Sequence, residues 1–217
     1  MNLTRFRVAV PLILGLFFTS CVEKVEHPVR TDFSRYFPLV DGAVYQFSGP
    51  LGKAVVSGQI NELYTFTYFD SIQNITGWND FIKTDHSVGW KNIVSRGGKI
   101  PPLFFEPPLP FTPWSMTVGD TLLFSAAEIR GDSLNSHLRI QEELEIISTA
   151  PVTTPAGEFY DCIELRMTFK PLYNNNEPLL RGNYYWWFAK DIGMVKYILP
   201  EGAGELLSAR IAGKSIP

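Results

Sequence analysis

The sequence predicts an all-β domain, an antiparallel sandwich or open half-barrel of roughly nine to eleven short strands with little helix. Three observations carry this reading. Runs rich in β-branched and aromatic residues recur from Tyr36 to the end of the chain. Glycine, proline, asparagine or aspartate separates one run from the next. No stretch spaces its apolar residues three and four apart convincingly enough to make an amphipathic helix. The chain has 217 residues; without its leader it is the size of one domain and long enough to bury a sizeable core.

The leader comes first. Arg5 and Arg7 precede an apolar run from Val8 to Phe18, and no acid stands before Cys21. The run has the length of a signal-peptide core and falls short of the ~20 residues that a membrane helix needs. Small residues, Thr19 and Ser20, lead into Cys21. The stretch "LILGLFFTSC" resembles a bacterial lipobox, with Phe18 where leucine is usual. That resemblance implies acylation of the Cys21 thiol, cleavage before it and acylation of the new amino terminus. The plain alternative is an ordinary signal peptide cut nearby. Each buried methylene of an acyl chain contributes about 0.8 kcal/mol, so several chains hold a protein on a membrane without a spanning helix. No later segment is apolar for long enough to span. Similarity to Gram-negative lipoproteins implies an outer-membrane location, on the periplasmic or the surface face. Residues 1–20 are therefore read as signal peptide, 21–34 as a lipidated flexible tether, and 35–217 as a single β domain.

Removing residues 1–20 takes two arginines and leaves 17 basic against 22 acidic side chains, a net charge of −5. A mildly acidic chain lacks the basic footprint of a nucleic-acid binder. With Cys21 acylated, Cys162 stands alone, which excludes an internal disulfide and a cysteine zinc site. Cys162 reads as a small residue of the core or barrel wall.

Strands follow in order: "AVYQFSG" (43–49), "ELYTFTYFD" (62–70), "SVGWKNIVS" (87–95) and "TLLFSAAEI" (121–129). "HLRIQEELEIIST" (137–149) alternates but slips phase between Ile140 and Leu144, which predicts a bulge. "TPAGEFYDCIELRMTFK" sets a turn at Pro155, Ala156 and Gly157, then a strand with Phe159, Ile163, Leu165, Met167 and Phe169 on one face. Asp161 is the exception on that face. "NYYWWFAKDIGMVKYIL" reads as a hairpin turning at residues 190–193, with Gly193 supplying positive φ. "GELLSARIAG" closes the chain.

"YFPLVDGAVYQF", "TPAGEFYDCIEL" and "YYWWFAKDIGMVKYI" together resemble a broad group of bacterial lipoproteins without assigned chemistry. The resemblance touches both ends of the domain and leaves the middle unanchored. It implies an antiparallel β domain, an open half-barrel of the kind seen in lipoprotein carriers, and it implies no activity.

Catalytic motifs are weighed and set aside. "GDSL", Gly131 to Leu134, matches the serine motif of an esterase family, but it lies mid-chain and no Asp-x-x-His follows it. Turn composition around it supplies the plainer reading. His27, His86 and His137 lack metal spacing. Glu142, Glu143 and Glu145 offer carboxylates for glycoside hydrolysis, yet adjacent charges on a strand usually form a solvated face. "NNNEP" lacks the spaced aspartates of a calcium loop. Neither metal nor cofactor is expected, and the protein reads as a non-enzyme.

Two features point to binding. In "YYWWF", Tyr184, Trp186 and Phe188 face one way and Tyr185 and Trp187 the other, so both faces of the strand need a cover. In "IPPLFFEPPLPFTPW" (100–114), six prolines remove backbone donors and argue against a central strand. Its Phe104, Phe105, Phe111 and Trp114 are strongly apolar. The segment reads as a plug, a lid over a cavity or a docking patch. Tyr184, Trp186, Trp187, Phe104, Phe105, Phe111 and Trp114 are the candidate residues for a hydrophobic ligand or an envelope-protein partner, and Cys21 for the lipid.

Overall fold

The computed structural model describes residues 31–58, 60–84, 87–96, 102–113, 115–131, 137–171, 180 and 182–217. Cys21, Trp114, the 132–134 part of the Gly131–Leu134 motif, the three histidines apart from the backbone of His137, and "NNNEP" lie outside the described residues.

Fifteen strands are described: β1 (Thr31–Asp32), β2 (Val44–Phe47), β3 (Lys53–Gly58), β4 (Leu63–Phe69), β5 (Ile75–Lys83), β6 (Ser87–Ser95), β7 (Leu103–Pro113), β8 (Ser115–Met116), β9 (Thr121–Gly131), β10 (His137–Thr154), β11 (Gly157–Pro171), β12 (Gly182–Ala189), β13 (Gly193–Leu199), β14 (Gly202–Ile211) and β15 (Lys214–Ile216). Two 3₁₀ turns, Phe33–Arg35 and Ile60–Glu62, complete the described elements. The fold is all-β and antiparallel, as the alternation predicts.

Twelve of the strands pair in chain order, β2 to β7 and then β9 to β14, and β14 returns to pair with β2. The result is an up-and-down barrel. The β7–β9 ladder is short and runs only from Leu103↔Gly131 to Glu106↔Glu128. The short β1 and β8 pair with each other beside the barrel, and β15 extends the edge of β14. The barrel holds more strands than the nine to eleven expected. Lys53–Gly58, Ile75–Lys83 and Leu103–Pro113 are strands that small, polar or proline residues concealed.

The bulge expected in β10 between Ile140 and Leu144 is not there: β10 pairs with β11 without a break from Ile140 to Ile146, and the β9–β10 register shift between Ile140 and Gln141 puts the extra residue, Ala126, in β9. A second shift, between Ala150 and Val152 of β10, faces Asp161. Asp161 adopts φ 56°, so one extra residue is absorbed there and Cys162 and Ile163 are both buried. This accounts for the odd-face exception. The β10–β11 turn falls at Pro155–Ala156, as predicted, and Gly193 ends the β12–β13 turn with φ 99°.

A twelve-stranded barrel is too wide for its own wall residues to fill, since about eight strands already give an interior just wide enough for side chains to fill. The interior is packed with aromatic rings. Phe66, Phe81, Trp90, Phe111, Trp186 and Phe188 form one contiguous cluster. The segment before β2 enters one end as a plug. Phe37 meets Phe66, Phe81, Phe111 and Phe188 with ring centroids 5.0–5.6 Å apart. Arg35 pairs with Asp191, and the Asp191 amide donates to the Arg35 carbonyl at 2.6 Å, tying the plug to the β12–β13 turn. Packed structure thus reaches back to Thr31, and Phe33 is buried, within the stretch read as tether.

The proline-rich segment corrects the expectation that it stays out of a central strand. β7 stands inside the sheet between β6 and β9. Its pairing breaks where the prolines require it: the β6–β7 register shifts between Trp90 and Asn92, and Pro107 and Pro108 fall in the gap after a cis Glu106–Pro107 bond.

Candidate functional site

The plug fills one end of the barrel only. Toward the other end lies a chamber of about 530 Å³. Ligand pockets commonly run from about 300 to 1,000 Å³, so this volume suits a small organic molecule or part of a larger one. Alternation along each strand dictates who lines it. On β12, Tyr184 and Trp186 point inward with Phe188, and Trp186 and Tyr184 form the chamber wall while Phe188 packs on the plug. Trp90 and Ile93 of β6 stand on the wall as well. Tyr68 of β4 and Asn79 of β5 are diagonal neighbours on adjacent strands, with the Asn79 amide donating to the Tyr68 hydroxyl at 3.1 Å.

The rim comes from turns. Pro50 and Leu51, and Leu199 and Glu201, reach it from the β2–β3 and β13–β14 turns. Tyr197 locks these two turns together: its hydroxyl donates to the Ser48 carbonyl at 2.9 Å and accepts from the Leu51 amide at 3.0 Å. The turn is possible because two glycines let the strands close in. A Cβ on Gly204 would lie 2.2 Å from the Ser48 carbonyl oxygen, and one on Gly49 would lie 2.2 Å from that of Ala203.

The lining is mostly apolar, and its polar groups include several hydrogen-bond donors. Trp90 and Trp186 are 4% and 5% exposed, and the indole N–H of each is buried without a partner. An unsatisfied buried donor costs about 1–3 kcal/mol. Burial pushes the Tyr68 and Tyr184 hydroxyls well above the ordinary phenol range, with the charge of Glu201 adding to the effect on Tyr184, so both stay protonated. A small void of about 10 Å³, lined by Trp90, Trp186 and Phe37 among others, extends the chamber toward the plug.

The candidates from the sequence separate cleanly. Tyr184 and Trp186 reach the chamber. Phe111 lies behind it, edge-on to both Trp90 and Trp186. Phe105 is buried against Trp90. Trp187 and Phe104 face outward. Phe104 is 38% exposed, and Trp187 stacks on Tyr185 under the Lys196 ammonium, which itself pairs with Glu205 at 3.0 Å. The second aromatic face of β12 is thus covered by charged neighbours on the same sheet, not by a further layer. Trp90, Tyr68 and Asn79 are not among the residues singled out from the sequence, though the parity of Val88 and Trp90 is that of a buried face; beyond Trp90 a register shift at Lys91 turns Ile93 inward in place of Asn92.

The glutamate cluster is split by the pleat. Glu143 and Glu145 point out, to Lys170 and Arg166. Glu142 points in with Leu144 and Ile146 and is fully buried, with no partner for either oxygen. The expected solvated face therefore holds for two of the three, and a pair of carboxylates facing each other across a cleft is not formed by this strand. Among the described residues no group of three or more histidine, cysteine and acidic side chains is placed to hold a metal. Nor is any described helix long and apolar enough to cross a membrane.

No protein-family model matches the chain, and no curated protein matches it. Among solved structures it is similar to a chain from Parabacteroides distasonis, provisionally designated a lipoprotein, at 15% identity and a TM-score of 0.42, over 81% of this chain and 98% of that one. It is also similar to a chain from Bacteroides fragilis, provisionally designated an exported protein with a YmcC-like fold, at 15% identity and a TM-score of 0.39, over 81% and 99%. Likeness of this degree says nothing about function.

Proposed function

We propose that this chain is a lipid-anchored protein of the cell envelope whose barrel holds a hydrophobic ligand. One observation carries the binding half of the reading: the chamber of about 530 Å³ is walled by Trp186 and Tyr184, two of the residues that the aromatic strand singled out. A docking module would need a flat aromatic patch on the outside. The outward Trp187 is instead half-covered by its own charged neighbours. The anchoring half rests on the lipobox-like run ending at Cys21, and outer-membrane residence is the location that suits it.

The barrel suits carriage or storage better than chemistry. A rigid wall, an apolar interior and a rim made of turns allow a ligand to enter and leave without strain on the sheet. The test is binding of a neutral hydrophobic reporter dye, N-phenyl-1-naphthylamine, to the full chain. Saturable one-to-one binding is expected, weakened at least tenfold by Trp186→Ala and unchanged by Trp187→Ala on the outer face. Equal loss in both variants, or no saturable binding, contradicts the reading. For the anchor, Cys21→Ala should leave the precursor unacylated, and unchanged acylation sinks that half alone.

A further inference from the structure

The polar groups of the chamber restrict what can occupy it. Tyr184 brings a hydroxyl to the wall. Tyr68 accepts from Asn79, which leaves its own proton for another acceptor. The Trp90 and Trp186 rings stand on the wall, while their unpartnered N–H groups are covered and face no open space. All five of these side chains line one chamber. Among the described lining residues there is no lysine, arginine or histidine, and the one charge is Glu201 at the rim. An anion placed inside would lose its hydration, find no counter-charge and approach a carboxylate. A pure hydrocarbon would leave the donors unmatched. A neutral carbonyl on an apolar chain meets both conditions.

We propose that the chamber takes a neutral acyl ester or amide, its carbonyl oxygen received by the hydroxyls of Tyr184 and Tyr68, in preference to the free fatty acid or the hydrocarbon of equal length. This rests on the hydrophobic-ligand reading of the same chamber. Ester and amide share the carbonyl acceptor, and the experiment separates the two sources. No covalent step is involved. The ligand is bound and released unchanged.

The experiment displaces N-phenyl-1-naphthylamine from the full chain at pH 8 with methyl dodecanoate, N-methyldodecanamide, dodecanoate and dodecane. The ester or the amide, or both, should compete at a concentration about tenfold lower than dodecanoate and dodecane, the effect of one or two neutral hydrogen bonds. Whichever of the two competes better identifies the source. Tyr184→Phe and Tyr68→Phe keep the rings and remove the donors, so they should erode that advantage while dodecane competes as before. Dodecanoate competing as well as the ester overturns the proposal and leaves a hydrophobic chamber in place. Ester, amide and dodecane competing equally, or an advantage untouched by both variants, overturns it too. A reporter that does not bind at all overturns both this proposal and the reading beneath it.

Discussion

Glu142 is the residue whose chemistry is least expected. Its parity matched Leu144 and Ile146, so period-two counting already placed it inward. Its charge suggested the opposite, and its two acidic neighbours do face water. Its cross-strand neighbours are Phe124 and Phe169, and burial without a partner holds its carboxyl well above the ordinary carboxylate value of 4.5. The folded chain therefore keeps a proton that the unfolded chain has released at any pH between 4.5 and the raised value. The folded state binds more protons across that window, so stability is highest below it and falls as pH rises through it. Glu142→Leu should raise stability at pH 8 by about 1–3 kcal/mol and flatten the fall between pH 5 and 8, as read by urea unfolding. A variant less stable than wild type at pH 8 would show that the carboxylate has a partner. Cys162 is simpler. It is buried and donates to the Phe159 carbonyl at 3.3 Å, and burial pushes its thiol up to about 11. A thiol reagent at pH 8 should react with it only as fast as the barrel opens, and fast labelling in native buffer would contradict its place in the wall.

At the scale of elements, the legible parts were those with a local signal. The Pro-Ala-Gly turn and the β12–β13 hairpin are each set by a few neighbouring residues, and each stands where the sequence put it; the slip read in β10 belongs instead to its neighbour β9. The plug was not legible. "YFPLV" has no strand pattern, and its role depends on rings brought from β4, β5, β7 and β12. Phe37→Ala removes a ring held by four others and should cost about 3–5 kcal/mol in urea unfolding. Arg35→Ala breaks an exposed pair and should leave the midpoint near wild type. A small loss for Phe37→Ala would mean that the plug is not seated. β7 also escaped, because proline is a sound signal against a central strand. The barrel tolerates it by breaking register at Pro107–Pro108 and by shortening the β7–β9 ladder. The β2–β14 closure depends on glycine in the same way that β7 depends on a gap. Gly204→Ala should destabilise the protein by about 2 kcal/mol or more, since the new methyl group would meet backbone and the Tyr197 hydroxyl. An unchanged midpoint would mean that the two turns stand further apart than described.

At the scale of the molecule, closure was the least legible feature. β2 and β14 lie at opposite ends of the chain, and nothing local in "AVYQFSG" or "GELLSARIAG" says that they pair. Without closure, the aromatic strand could only be given two covered faces of unknown kind. With it, one face becomes the wall of a chamber and the other a charged outer surface. At the plugged end Tyr45 donates to the Ile192 carbonyl at 3.0 Å, and the Ala156 amide donates to the Leu206 carbonyl at 3.1 Å. The chamber sits toward the opposite end, among the turns that hold Pro50, Leu199 and Glu201.

The central claim is that the chamber is a ligand site. The measurement that tests it most directly is native mass spectrometry of the full chain after incubation with a lipid extract of a bacterial envelope, beside the variant Ile93→Trp. Ile93 lines the chamber, so the larger ring takes up its space while leaving the plug and the wall aromatics in place. The account predicts one retained lipid per chain in the wild type and none in Ile93→Trp. A bare wild-type mass, or a lipid retained equally by both, would contradict it.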